Sequence, residues 1–120
     1  MRDEISWQVV LTVKPGELDN FRALTREMVE STKHESGVLI YERFVSQDER
    51  VVYVYERYAD SAAAVAHLLA FAKMYGERFV NTVDRRQFTV FGEPTDTLRG
   101  ILDKFGATYC RLFDGFSRVR

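Results

Sequence analysis

Apolar and polar positions change period several times along this chain. From Ile5 to Val13 they alternate, with Ile5, Trp7, Val9, Leu11 and Val13 on one side and Ser6, Gln8, Val10 and Thr12 on the other. Such alternation, rich in β-branched residues, predicts a half-buried strand. Lys14-Pro15-Gly16 ends it, because proline offers no ladder donor and glycine permits a turn. From Glu17 the apolar spacing becomes three and four: Leu18, Phe21, Leu24, Met28 and Val29 form the stripe of an amphipathic helix. Glu17 and Asp19 in its first turn and Lys33 and His34 in its last would complement the helix dipole, with Gly37 as the stop.

Alternation returns from Val38 to Ser46, a second strand. Gln47-Asp48-Glu49-Arg50 is short enough to force an antiparallel hairpin into a third strand, Val51 to Tyr58. That strand is apolar or aromatic on both faces until Glu56, which places it inside the sheet. Asp60 or Ser61 caps a second helix whose stripe is read as Val65, Leu68, Leu69, Ala72, Tyr75, Phe79 and Val80. Gly76 within it predicts a break or bend between Leu69 and Gly76. Arg86 to Gly92 reads as a fourth strand, closing on Glu93-Pro94.

The order strand, helix, strand, strand, helix, strand predicts a ferredoxin-like α+β domain over residues 1–93, an antiparallel βαββαβ sheet with both helices on one face. The other face should be polar, yet the third strand is apolar on both sides, so a second copy of the chain is expected to cover it. Residues 94–120 form a C-terminal extension. Thr95 or Asp96 caps a helix with Leu98, Ile101, Leu102 and Phe105 as its stripe, Gly106 ends it, and Ala107 to Phe113 alternates weakly as a fifth strand. This apolar tail is expected to pack on its own domain or on the partner.

Bulk composition narrows the functions available. Seventeen basic and eighteen acidic residues leave a net charge of -1, without the basic surplus of a nucleic-acid or anionic-membrane binder. Apolar runs are too short to span a membrane, the N-terminus has no signal-like stretch, and the single Cys110 has no internal partner, so the cytoplasm is expected. Two separated histidines and one cysteine make no metal-ligand pair, and no glycine-rich phosphate loop is present, so neither a metal nor a nucleotide cofactor is expected. Nine Phe, six Tyr and one Trp remain to fill a core, line a flat-ligand pocket or cover an interface.

His67 is the sharpest candidate residue. Its ordinary pKa suits proton transfer with a phenolic hydroxyl, although a semi-buried histidine tying helix to sheet has the same pattern. Arg57 and Arg43 lie on hairpin-linked strands near Tyr41, Tyr53 and Tyr55. An arginine among tyrosines can stabilise a phenolate or an oxygen-derived anion, or it can pair across the sheet with Glu42 or Glu56. Trp7 is a pocket wall or an interface residue.

Four features in order carry a family resemblance: a strand running into Val13-Lys14-Pro15-Gly16, the strand Gly37-Val38-Leu39-Ile40-Tyr41-Glu42, the Glu56-Arg57-Tyr58 triplet, and His67 on the following helix. Over roughly Ile5 to Glu93 the chain resembles the antibiotic-biosynthesis-monooxygenase family of dimeric α/β barrels. The resemblance implies a homodimer and a cofactor-independent oxygenase for a small aromatic or quinol substrate, with a non-catalytic binding or structural dimer as the alternative. In that picture His67 is the base, Arg57 its electrostatic partner, and Trp7, Tyr41, Tyr53 and Phe71 are substrate-binding walls. Haem-degrading relatives carry an Asn on the first strand, a Trp on the second helix and a later His. This chain has no Asn on that strand, His67 at the helix position and no histidine after it, which argues against haem.

Overall fold

A computed structural model describes residues 2–119. The elements are β1 (Ile5–Val13), α1 (Leu18–Thr32), β2 (Val38–Val45), β3 (Val51–Tyr58), α2 (Ser61–Thr82), β4 (Val83–Phe91), α3 (Asp96–Leu102), a 3₁₀ turn (Asp103–Phe105) and β5 (Thr108–Cys110). They form one five-stranded sheet in the order β2-β3-β1-β4-β5. The first four strands pair antiparallel, and β5 adds parallel to β4. This is the ferredoxin-like arrangement with a helix and an edge strand appended. Among the described residues no helix is long and apolar enough to cross a membrane.

Strand alternation decides which side chains meet the helices. Ile5, Trp7, Val9 and Leu11 of β1 are buried, as are Val52, Val54, Glu56 and Tyr58 of β3. Phe21 of α1 and Ala64 and Leu68 of α2 join them in the core. Leu98 and Leu102 of α3 are fully buried in that same core, so this part of the extension packs on its own chain. Beyond β5, Leu112, Phe113, Phe116 and Val119 are exposed. The opposite sheet face bears a row in which Phe44 and Val10 flank Tyr53 in register, with Tyr53 44% and Phe44 57% exposed.

Several local readings change. The second helix runs unbroken through Gly76; side-chain packing along it offsets the cost of one glycine, about 1 kcal/mol. Its inward stripe is Ala64, His67, Leu68, Phe71 and Phe79, while Leu69, Ala72 and Val80 face out. The stripe is turned from the one the apolar pattern suggests, because polar His67 takes an inward position. Strand β4 starts at Val83, directly after the helix, rather than at Arg86. Helix α1 ends before His34, with Glu17 as its N-cap and Lys33 as its C-cap. Gly37 serves the packing instead: a Cβ there would lie 2.5 Å from the Ala63 Cβ, so β2 and α2 approach through it.

Caps fix where α2 begins. Asp60 accepts a hydrogen bond from the Ala63 N–H at 2.8 Å. Ser61 Oγ accepts from the Thr95 N–H, linking the start of α2 to the start of α3, where Thr95 is itself the N-cap.

Candidate functional site

A cleft opens between the sheet and α2, with a volume of about 70 Å³. Its floor crosses four strands: Tyr41 and Arg43 from β2, Val54 and Glu56 from β3, Trp7 and Leu11 from β1, Arg85 and Phe88 from β4. Helix α2 contributes His67, Leu68, Phe71 and Phe79, and Phe105 of the extension closes one side.

Glu56 is the electrostatic centre of this floor. It is 6% exposed, and three donors converge on it. Trp7 Nε1 donates to Oε1 at 2.9 Å, Tyr58 Oη donates to Oε1 at 2.5 Å, and Arg43 Nη2 donates to Oε2 at 2.6 Å. Burial alone would raise the Glu56 pKa, but Arg43, His67 and the Tyr58 hydrogen bond outweigh it and hold the carboxyl below its ordinary value. A buried carboxylate is tolerated only with such partners. Burial, with the Glu56 charge second, pushes the Tyr58 phenol well above its ordinary value. Tyr41 is pushed up to about 12, mainly by burial, with Arg43 opposing and Glu56 adding. Both phenols therefore stay protonated as donors near neutrality.

His67 sits beside this cluster. It is 4% exposed, its ring lies edge-on to Tyr41 at 5.4 Å, and it packs against Tyr58 at 5.5 Å. Nδ1 lies 3.1 Å from Glu35 Oε1, on the turn after α1. An ionised carboxylate only accepts, so Glu35 favours the tautomer with the proton on Nδ1 and leaves Nε2 as the acceptor. Among the described residues Nε2 has no hydrogen-bond partner.

The structure therefore brings together Trp7, Tyr41, His67 and Phe71 and leaves out Arg57 and Tyr53. Neighbours on a strand point to opposite faces, and Glu56 holds the inward position, so Arg57 points away. Arg57 lies 3.6 Å from Glu4 Oε1 on the far face, and Tyr53 is exposed there. Arg43 takes the inward cationic place, with its guanidinium 3.5 Å from the centre of the Tyr41 ring. Arg43–Glu56 is also the cross-strand pair anticipated as the alternative for these arginines. Glu56 and Tyr58 share the parity of Val54, but apolar residues on both sides of β3 hid which parity faces inward. Glu35, outside every element, had no sequence signal. Among the described residues no group of three His, Cys, Asp or Glu side chains is gathered for a metal.

The family model for the antibiotic biosynthesis monooxygenases matches residues 5–70, more than half the chain. The chain belongs to this family. The matched span holds Trp7, Glu35, Arg43, Glu56 and His67. No curated protein matches the sequence. Among solved structures, MupZ from Pseudomonas fluorescens is 25% identical with a TM-score of 0.85, covering 98% of this chain and 96% of its own. Protein SO0527 from Shewanella oneidensis, 24% identical with a TM-score of 0.58, covers 75% of this chain and 88% of its own. SnoaB, a cofactor-independent oxygenase from Streptomyces nogalater, is 14% identical with a TM-score of 0.65 and covers 78% and 95%. The last two share the fold alone. The MupZ match extends over nearly the whole chain, extension included.

Proposed function

We propose that this chain is a cofactor-independent monooxygenase for a small aromatic or quinol-type substrate held between the sheet and α2, and that it works as a homodimer. The observation that carries the reading is His67, fixed by Glu35 at the wall of an aromatic cleft with Nε2 left as an acceptor. Membership of the monooxygenase family and the fold shared with SnoaB, itself a cofactor-independent oxygenase, support the reaction class.

The chemistry needs a base, a dry cavity and orientation, because the substrate supplies the electrons. With an anthrone, His67 Nε2 takes the acidic proton and leaves an electron-rich carbanion conjugated to the ring oxygen. That anion passes one electron to dioxygen, and the substrate radical and superoxide combine to form the C–O bond of a peroxide. Protonation and loss of water, with the remaining C–H proton, leave a carbonyl: CH₂ plus O₂ gives C=O plus H₂O. Arg43, with its guanidinium over the Tyr41 ring, supplies the cation for the developing oxygen anion in this reading, and Tyr41, still protonated, supplies a donor. Trp7 and Phe71 hold the flat ring.

The homodimer rests on the uncovered sheet face, where Val10, Tyr53 and Phe44 lie side by side across three strands. A monomeric solution mass at micromolar concentration would overturn it.

Oxygen uptake with a panel of quinols and anthrones tests the reaction. We expect His67→Ala to lower turnover on the order of 100-fold, as for loss of a general base. Glu35→Gln should keep the fold and lower turnover by loosening the hold on the imidazole tautomer. If nothing in the panel turns over and His67→Ala changes nothing but the cavity, the chain is a non-catalytic small-molecule-binding dimer instead.

A further inference from the structure

The cations of the cleft are not equivalent. Of the two arginines that line it, Arg43 is neutralised by Glu56. Arg85 has no such partner: among the described residues no carboxylate lies within ion-pair distance, and the adjacent Asp84 is taken by Arg86.

A register shift puts Arg85 on the cleft side. Strict alternation from Phe88 would aim Arg86 at the helices and Arg85 at the far face. Between Val10 and Leu11 the pairing instead jumps from Gln87 to Arg85, so Arg85 falls opposite inward-facing Leu11. Arg86 is left to donate to Thr12 on the other side, at 2.9 Å. Bulges commonly re-aim a side chain beside a site, and an extra residue here has turned a cation toward an apolar trough. The C-terminal extension then holds it. The Arg85 guanidinium lies 4.8 Å from the centre of the Phe105 ring, which stacks on Phe88 with ring centres 5.7 Å apart and planes 7° from parallel. Arg85 as a whole is exposed while lining the cleft, and its partial burial lowers its pKa with no anion to offset it.

Arg85 is on β4 and the Arg43–Glu56 cluster on β2 and β3. In the order β2-β3-β1-β4, three strand spacings of about 4.8 Å set the β2 and β4 backbones about 14 Å apart, so the two arginines enter the cleft from different strands across the sheet. The middle of the cleft is walled by Trp7, Leu11 and Phe88. An uncompensated arginine at the end of an aromatic trough is a recognition site for an anionic group, and its planar fork matches a carboxylate.

We propose that the cleft takes an elongated, flat aromatic acid, its reacting ring beside His67 and its carboxylate held by Arg85 at the opposite end. This deepens the oxygenase reading and rests on it for the reacting end. The Arg85 end makes its own prediction, about binding.

Calorimetric titration in oxygen-free buffer tests it with two probes, anthracene-2-carboxylate and the matching primary carboxamide. Wild type should bind the acid about tenfold more tightly than the amide, the scale of one charge-assisted contact. Arg85→Met, which keeps the stem packed on Phe105, should abolish that preference and leave amide affinity within about twofold. Arg85→Lys should retain part of it, and rising salt should erode it. The idea is overturned if wild type binds acid and amide equally, if Arg85→Met weakens both alike, or if neither probe binds. The acid–amide comparison on wild type needs no variant, so a misfolded Arg85→Met leaves the test standing. Because binding is read without oxygen, absent turnover with an intact acid preference would sink the oxygenase alone. Turnover without that preference would sink only the anion site.

Discussion

Arg43 on β2 and Glu56 on β3 form a salt bridge of 2.6 Å beneath α2, with side chains only 12% and 7% exposed. The pair is held by strand register: Tyr41 lies opposite Glu56 and Arg43 opposite Val54, one diagonal step away. A buried pair of this kind seldom adds net stability, but removing one partner strands the other charge. It supplies a fixed cation and a fixed acceptor at the centre of the cleft floor, reached by Trp7 and Tyr58 as well.

Glu56→Gln should therefore destabilise the fold by about 3 kcal/mol, read from urea unfolding, because the Arg43 cation loses its counter-charge. The pH dependence has a definite sign. The folded carboxyl titrates below its ordinary value of 4.5, so the unfolded chain takes up this proton first as pH falls. The stability it contributes is full above 4.5 and is lost as pH falls through the lower folded pKa. Glu56→Gln should lack that acid slope.

At the alkaline end Tyr41 works in the opposite direction. Its phenol is held protonated to about 12 against an ordinary 10, so the unfolded chain releases this proton first as pH rises. Wild type should lose stability between pH 10 and 12, and Tyr41→Phe should lose less. Unfolding at several alkaline pH values compares the two slopes.

Gly37→Ala should cost about 1–3 kcal/mol, because its Cβ meets that of Ala63 at 2.5 Å. Ala63→Gly in the same chain should recover much of the loss. The thermal midpoints of the two single variants and the double variant check it, and simple additivity would argue against the contact.

The extension divides into two parts with different expected effects. Leu102→Ala should cost about 2–5 kcal/mol, since this side chain is fully buried in the shared core. Removing residues 112–119, which are exposed along their length, should leave the unfolding midpoint of the isolated chain within about 0.5 kcal/mol of wild type. Chemical denaturation of both variants separates the parts.

Element types and order were legible in the chain because they follow from local periodicity: alternation for the strands, a three-and-four spacing for the helices, and Asp60 and Thr95 as caps. So was the ferredoxin-like topology, which short connections and connection rules leave nearly unique. The site was legible only in part. His67, Trp7, Tyr41 and Phe71 stood out by type, but the choice between Arg57 and Arg43 turned on which parity of β3 and β2 faces inward. Apolar residues on both sides of β3 hid that parity, and only the helices packed on one face reveal it. Glu35 reaches His67 across 32 positions of sequence, and Arg85 enters the cleft through a one-residue bulge. Neither leaves a periodic trace, because long-range approach and register shifts are decided by how whole elements dock. The chain by itself determined the scaffold and the aromatic stock of the cleft. Tertiary packing decided which charges the scaffold aims inward, since a one-residue change of register turns a side chain from core to solvent.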